Sequence, residues 1–286
     1  MTPFQAVVLG IVQGLTEFLP VSSSAHLRLI PELLRWKDPG AAFTAVIQWG
    51  TFIASVVYFR HDIARLTQAF FLGLWRGRPL DTQDARLAWM ILVGTVPIVV
   101  LGLLLQGSIK TSFRSMYVIA GALIGLALVL ILAEWLAHRR LLRGETGSEM
   151  EQISWSQALL IGLAQAMSLV PGSSRSGVTI TGGLLVGLTR PTAARYSFLL
   201  SLPSVFGAGL HQLIKERREL LSVEGGVINL ALATVVSGLV GYAAISFLLY
   251  FLRTRTTTIF IVYRLAIGLL LLLLLARGII PSHPSD

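Results

Sequence analysis

Residues 10–26 read GIVQGLTEFLPVSSSAH, which places a glutamate, three consecutive serines and a histidine between apolar runs. A charge such as Glu17 costs at least about 2.5–3.5 kcal/mol at the centre of a membrane-spanning helix. Pro20 and the small polar residues after it predict a break in that helix. Such a broken, re-entrant segment is tolerated at membrane depth only where it is buried in protein or lines a wet cavity.

The composition of the whole chain is that of a membrane protein. Of its 286 residues, 54% are hydrophobic and 13% are charged, with a mean hydropathy of +0.75; soluble domains carry roughly 25% charged residues. One long run, residues 256–276, is interrupted only by Arg264. Five further runs contain no Asp, Glu, Lys or Arg: 41–59, 87–109, 115–133, 196–214 and 225–252. Each is long enough to cross a hydrocarbon core of about 30 Å, which excludes a large soluble helical domain.

Charge and cysteine content narrow the class further. The net charge of +9 is spread over short loops, which indicates a membrane surface and excludes a basic nucleic-acid-binding domain. The chain has no cysteine, so disulfides and thiol chemistry are excluded. No Lys or Arg precedes Arg28, so we expect the first apolar stretch to be retained rather than cleaved as a signal.

A second interrupted segment, residues 162–177, reads GLAQAMSLVPGSSRSG and resembles the first. With one gap the alignment pairs Gly10 with Gly162, Gln13 with Gln165, Pro20 with Pro171, Ser22 with Ser173 and Ser23 with Ser174. Three long apolar runs follow each motif, and an odd number of crossings inverts the second copy. We therefore expect an all-α polytopic membrane protein, one integral domain over residues 1–286. It would comprise two inverted repeats, about 1–140 and 152–280, each with a re-entrant hairpin and three transmembrane helices.

Basic residues in the loops predict the orientation. One face is expected to carry twelve: Arg60, Arg65, Arg76, Arg78, Arg86, Arg139, Arg140, Arg143, Arg190, Arg195, Arg253 and Arg255. The other is expected to carry nine: Arg28, Arg35, Lys37, Lys110, Arg114, Lys215, Arg217, Arg218 and Arg277. The positive-inside rule places residues 60–86 in the cytoplasm and both termini outside.

The second motif, residues 171–183, has the composition of an anion site. Its glycines allow close backbone approach, the hydroxyls come from Ser173, Ser174 and Ser176, and the next helix begins with free N–H groups. Arg175 can hold phosphate oxygens with its planar fork. Two plainer interpretations are a Gly/Ser-rich turn and a salt bridge between Glu17 and Arg175 that only joins the hairpins. The arginine at membrane depth favours the anion site.

The first motif offers complementary groups. Glu17 is a candidate ligand for a divalent cation, or a base. Ser23 and His26 lie three residues apart, a spacing that lets an imidazole activate a hydroxyl on one helix face. His26 could instead have a structural role at a helix end. The other histidines, His61, His138, His211 and His283, have no polar cluster near them in sequence and are interpreted as structural. Together the motifs predict a site near the midplane for a phosphorylated amphiphile.

Residues 13–27 and 171–188 closely resemble the two signature segments of the bacterial undecaprenyl-diphosphate phosphatase family of the bacitracin-resistance type. The resemblance covers nearly the whole chain, including FTAVIQWGT, ILVGTVPIVVLG and ARYSFLLSLPSVFGAG. It implies hydrolysis of undecaprenyl diphosphate to the monophosphate, recycling a cell-wall lipid carrier and conferring bacitracin resistance. It also implies a divalent metal, Mg²⁺ or Ca²⁺, and a site in the bacterial plasma membrane that opens to the periplasm.

The resemblance also implies roles for single residues. The catalytic set would be Glu17, Ser23, His26 and Arg175, and the metal ligands Glu17 and Gln13. The substrate-binding set would be Gln13, Ser22, Ser24, Ser173, Ser174, Ser176 and Arg175. The chain departs from the family where Gln13 replaces a frequent second glutamate, and where SSSAH replaces the commoner SSTGH.

Several questions stay open at this point. The nucleophile is Ser23, His26 or water, and Arg264 either serves the site or bonds to carbonyls or a carboxylate. The alternative function is a transporter or flippase of the same polyprenyl phosphate lipid, since broken helices in two halves are transporter architecture. The Glu/Ser/His set favours the enzyme. The sequences GLLVG and GALIG suggest close helix contacts and allow a homodimer.

Overall fold

The computed structural model describes residues 1–38, 40–105, 107, 115–220 and 226–282, and only the backbone of residues 41 and 216–220. Lys110, Arg114 and His283 lie outside the described residues, as do the side chains of Arg217 and Arg218. Within this part the chain forms eleven α-helices and no β-strand, which confirms the all-α fold. The helices are α1 (Pro3–Phe18), α2 (Ser23–Leu33), α3 (Gly40–Tyr58), α4 (Arg60–Trp75), α5 (Gln83–Leu104), α6 (Met116–Leu142), α7 (Trp155–Ala166), α8 (Arg175–Leu185), α9 (Arg190–Leu220), α10 (Gly226–Phe251) and α11 (Thr258–Ala276).

Five helices, α5, α6, α9, α10 and α11, are each long and apolar enough to cross a membrane. Helices α3 and α4 meet that criterion only as a pair, joined at a bend of 75°. The chain is therefore a multi-pass membrane protein. The second half supplies three full-length spans, whereas the first supplies α5, α6 and the bent pair.

Each hairpin packs against the other half of the chain. Helix α1 lies mainly along α10, α7 lies along α5, and the two last spans, α6 and α11, pair with each other. Glycines permit these crossings. A Cβ added to Gly10 would lie 2.6 Å from the carbonyl oxygen of Ala233 in α10, and one added to Gly162 would lie 2.3 Å from that of Gly94 in α5. This reciprocal packing, in which each hairpin lies against a helix of the other half, is what an internal repeat would give. The inverted orientation of the two repeats stays a prediction.

The structure relates the two halves by a single offset. Thr2 and Ser154 each begin a hairpin with a capping box, completed by Gln5 and Gln157, and these pairs lie 152 residues apart. The same offset relates Gly10 to Gly162 and Gln13 to Gln165, as the sequence predicted. It continues through the turns without a gap.

The predicted alignment of the serines is wrong by one residue. Ser22 and Ser174 are the N-caps of α2 and α8, so Ser22 corresponds to Ser174, and Ser23 to Arg175. Matching Pro20 to Pro171 introduced the gap. The turn geometry is set by the capping serines, and the prolines occupy different places in the two turns.

Candidate functional site

The two turns contact each other through equivalent serines. The backbone N–H of Gly172 donates to the hydroxyl of Ser24 at 3.2 Å, and the hydroxyl of Ser176 donates to the carbonyl of Leu19, also at 3.2 Å. Helices α2 and α8 therefore begin beside each other. A helix start carries N–H groups without intrahelical acceptors and the positive end of the dipole, so this region favours an anion.

Both turns hold a serine in a strained backbone conformation. Ser22 has a φ of 77° and Ser174 a φ of 66°, a region that costs about 1–3 kcal/mol for a residue other than glycine. The hydroxyl of Ser22 accepts from the N–H of Ala25 at 3.4 Å, and that of Ser174 from the N–H of Gly177 at 3.1 Å. These contacts show the two hydroxyls, expected to bind substrate, holding the turns in shape.

The remaining serines of the predicted substrate set also have structural contacts. Ser24 shares a 3.1 Å hydrogen bond with the hydroxyl of Ser22, and Ser176 shares one of the same length with Ser174. Ser173 is buried, and its carbonyl accepts from Arg264 at 3.0 Å. A substrate role for this group stays a prediction.

The carboxylate of Glu17, at the end of α1, is the centre of the polar cluster. It accepts hydrogen bonds from Gln13 at 3.0 Å, from Ser23 at 2.7 Å and from Gln48 of α3 at 3.2 Å. It also forms an ion pair with Arg175, the first residue of α8. The side chains of Glu17 and Arg175 are 8% and 19% exposed. The structure thus brings Glu17, Ser23, Arg175 and Gln13 together, and the Glu17–Arg175 contact joins the two halves.

The expected contact between Ser23 and His26 is not formed. Nδ1 of His26 bonds to the carbonyl of Ser22 at 2.7 Å, and Nε2 bonds to the hydroxyl of Tyr263 at 2.6 Å. Because a carbonyl only accepts, Nδ1 carries a proton, and in the neutral ring Nε2 accepts from Tyr263. The Ser23 hydroxyl instead points back across the Pro20 turn to Glu17. Sequence spacing within α2 could not reveal a partner on the preceding helix.

Two residues that contact the site, Gln48 and Tyr263, were not predicted from the sequence. Gln48 lies in the run FTAVIQWGT, where an amide within a long apolar segment was the available signal. Tyr263 stacks on His26 with ring centroids 5.5 Å apart, but it belongs to the last span and nothing near it in sequence marks it.

Arg264, which the sequence left open, fastens the turns to α6. It is 1% exposed and donates to five carbonyl oxygens at 3.0–3.3 Å: those of Pro20, Ala122, Leu123, Gly172 and Ser173. Of the roles considered, carbonyl bonding is the one observed. Arg264 is therefore a positioning residue, because it acts through both turns.

The two halves differ at the centre of the site. Gln13 is 2% exposed and donates to Glu17 and, at 3.5 Å, to Thr51. Its counterpart Gln165 is completely buried, with no hydrogen bond to either amide atom. Leu169 stands where the first half has Glu17. The carboxylate at the centre of the polar cluster is therefore present in one half alone.

The polar cluster offers oxygen donors of the kind that hard cations prefer. They are the carboxylate of Glu17, the hydroxyl of Ser23 and the amide oxygens of Gln13 and Gln48. Among the described residues, no three His, Cys, Asp or Glu side chains gather into a metal-binding group. The donors fit Mg²⁺ or Ca²⁺ with one carboxylate, provided that the two amides turn their oxygens toward the ion.

Comparison with known proteins agrees with the resemblance. The family model described as bacitracin resistance protein BacA matches residues 6–270. An undecaprenyl-diphosphatase from Chlorobium phaeovibrioides is 58% identical over 278 residues, covering 97% of this chain and 99% of that protein. One from Chlorobium luteolum is 58% identical over 280 residues (98% and 99% coverage), and one from Chloroherpeton thalassium is 56% identical over 278 (97% and 98%). The chain belongs to the bacitracin resistance protein BacA family.

Proposed function

We propose that this protein hydrolyses undecaprenyl diphosphate to undecaprenyl phosphate and inorganic phosphate. One observation carries the proposal: a serine hydroxyl and an arginine from opposite halves meet on the buried carboxylate of Glu17, where two helices begin. The near-full-length relatives named undecaprenyl-diphosphatase support the same activity. The product would return to cell-wall synthesis, and faster recycling would confer bacitracin resistance.

The geometry suggests how the chain's own residues carry out the reaction. Arg175 and the first-turn N–H groups hold the terminal phosphate, since a guanidinium has five donors and Glu17 uses few of them. Ser23 attacks the terminal phosphorus as its proton passes to Glu17, and the bond to the bridging oxygen breaks. Undecaprenyl phosphate leaves, and water then hydrolyses the phosphoserine, which releases phosphate and restores Ser23. Positioning and charge stabilisation supply most of the catalysis in such a reaction.

Water remains the rival nucleophile. In that mechanism Glu17 takes the proton of water directly, and Ser23 donates a hydrogen bond to a phosphate oxygen. His26 is disfavoured as a nucleophile, because both of its ring nitrogens are engaged. It holds Tyr263 and the first turn in place.

A divalent cation, Mg²⁺ or Ca²⁺, belongs to the proposal. Glu17, with the amide oxygens of Gln13 and Gln48, would hold it, and it would neutralise charge on the diphosphate. Gln13→Glu adds a charged oxygen ligand and should tighten binding. A titration with Mg²⁺ or Ca²⁺, followed by thermal unfolding without substrate, measures this binding. If the unfolding midpoint does not change with added metal, the site does not bind the cation.

The proposal also covers the location of the site in the membrane and the oligomeric state. The site opens to the outer face of a bacterial plasma membrane, as the family resemblance implies. The loop arginines orient the chain with residues 60–86 in the cytoplasm and both termini outside. A homodimer would use α6, where Gly121 and Gly125 face open space and admit a second helix. Light scattering of the purified protein measures the dimer.

Phosphate release by purified protein in detergent tests the activity. Detergent micelles have no second leaflet, so a pure flippase would release nothing. Wild-type protein and the exposed-residue control Ser156→Ala should release phosphate from undecaprenyl diphosphate. Glu17→Gln and Ser23→Ala should lose that release while still folding. A folded wild-type protein without activity, with and without added divalent cation, would refute the proposal.

A further inference from the structure

An apolar groove of about 280 Å³ lies between α4, α5 and α9, apart from the polar cluster. Its walls include Leu66 and Phe70 of α4, Ile91 of α5 and Leu202 of α9. Thr67 is the one polar side chain among the described residues that line it. No residue of the polar cluster contributes to these walls, so the groove is a separate feature.

Charged residues form a rim at one end of the groove. Arg195 of α9 pairs with Asp62 of α4 at 2.6 Å, and Arg65 of α4 lies 3.4 Å from Asp62 and 3.5 Å from Asp84 of α5. Each of the three helices that form the groove therefore contributes a charged side chain to this rim.

On both α5 and α9, a residue of the charged rim precedes residues of the apolar walls. Asp84 precedes the lining residue Leu92 by eight positions, and Arg195 precedes the lining residue Pro203 by eight. At the rise of an α-helix this spacing is about 12 Å. The groove thus descends for about that distance from a charged rim into apolar walls, which is the profile of a site for a headgroup and one hydrocarbon chain.

The rim itself is balanced, with two arginines against two aspartates, but the segment that carries most of it has an excess of positive charge. Residues 60–86 contain five arginines, at 60, 65, 76, 78 and 86, and three aspartates, at 62, 81 and 84, and Arg195 adds one more positive charge. The side chains of Arg65 and Arg195 are 49% and 43% exposed, so their remaining donors are accessible. At the end of α4, Trp75 is 84% exposed and Phe71 62%. Exposed aromatic side chains beside arginines are typical of the headgroup layer of a membrane.

We propose that the groove between α4, α5 and α9 binds one anionic phospholipid. Its phosphate lies on Arg65 and Arg195, and one acyl chain lies against Leu66, Ile91 and Leu202. The lipid fills the groove in place of an unspecified bulk lipid, and it holds α4 against α5 and α9. The site is independent of the hydrolytic activity.

The test uses full-length protein, stripped of lipid in detergent, with dioleoyl phosphatidylglycerol or dioleoyl phosphatidylcholine added at equal concentration. Native mass spectrometry counts the bound lipid. Phosphatidylglycerol should exceed phosphatidylcholine by about fivefold or more, the factor expected from attraction to an arginine near the membrane surface. Equal binding of the two lipids would overturn the proposal, as would binding of prenyl phosphate without phosphatidylglycerol.

Variants locate the site. Thr67→Trp fills the groove and should abolish the preference, and Thr67→Leu replaces it if the tryptophan variant does not fold. Leu239→Trp, at an exposed position on α10, should bind lipid as the wild type does. Arg65→Gln should reduce the preference for phosphatidylglycerol, whereas Arg255→Gln, in an exposed loop, should not. Unchanged binding in the folded groove variants, or an equal loss in the control variants, would contradict the assignment.

Discussion

The hydroxyl of Ser23 donates a 2.7 Å hydrogen bond to the carboxylate of Glu17, across the turn that separates α1 from α2. The same carboxylate pairs with Arg175 from the second half of the chain. One buried side chain therefore links the hydroxyl of Ser23, the proposed nucleophile, to Arg175, the residue proposed to hold the phosphate. This is the mutual geometry that a phosphoryl-transfer site requires.

The two equivalent glutamines should respond differently to the same substitution. Gln13→Leu removes a donor to Glu17, and we expect a loss of turnover of about tenfold or more. Gln165→Leu removes a buried amide without partners, so turnover should persist and stability should rise by about 1–3 kcal/mol. Phosphate release and thermal unfolding measure both effects. Similar losses of activity in the two variants would contradict the asymmetry of the halves.

Arg175→Lys should lose about 100-fold in turnover, the usual effect of removing one preorganised donor to transition-state charge. A lysine is a point charge and cannot reproduce the planar fork. Arg143→Lys, in an exposed loop, is the matched control and should retain turnover. Near-normal phosphate release by a folded Arg175→Lys protein would exclude Arg175 as the phosphate-holding residue.

The methyl group of Gly177→Ala would lie 2.9 Å from a terminal nitrogen of Arg264 and should displace its guanidinium. Each hydrogen bond lost by that charged group costs about 1.5–3 kcal/mol. We expect lower thermal stability and lower turnover together, because both turns depend on Arg264. Gly207→Ala, on α9, meets nothing within 4 Å and is the control. An unchanged melting temperature for Gly177→Ala would show that Arg264 does not hold the turns.

Introduced cysteines test the orientation, since the chain has none of its own. Asp81→Cys and Glu145→Cys should lie inside and Arg277→Cys outside. A membrane-impermeant maleimide applied to intact spheroplasts should label Arg277→Cys, and the other two only after permeabilisation. Labelling of all three from one side would refute the predicted crossings.

The fold was largely readable from the sequence, because uncharged runs of about twenty residues have few alternatives to spanning a membrane. Glu17 and Arg175 indicated where the two hairpins lie, because a charge at membrane depth is costly and therefore marks a functional site. The alignment within the motifs failed at Ser22 and Ser174. Proline is a conspicuous marker, but here the capping serine defines the turn.

The contacts of the site were less accessible from sequence. Helical spacing suggested a pair within α2, Ser23 and His26, because it considers a single helix at a time. The true partners lie on other elements: Glu17 on α1 for Ser23, and Tyr263 on α11 for His26. Tertiary packing brings these residues together, and no local pattern encodes it.

A double-mutant cycle of Ser23→Ala and Glu17→Gln on phosphate release tests the central claim most directly. If the two side chains act as a unit, the double variant should be little worse than the more damaging single variant. Ser23→Ala combined with His26→Ala should instead give multiplied losses, because those residues share no contact. Multiplied losses for Ser23 with Glu17, together with a coupled effect for Ser23 with His26, would contradict the account.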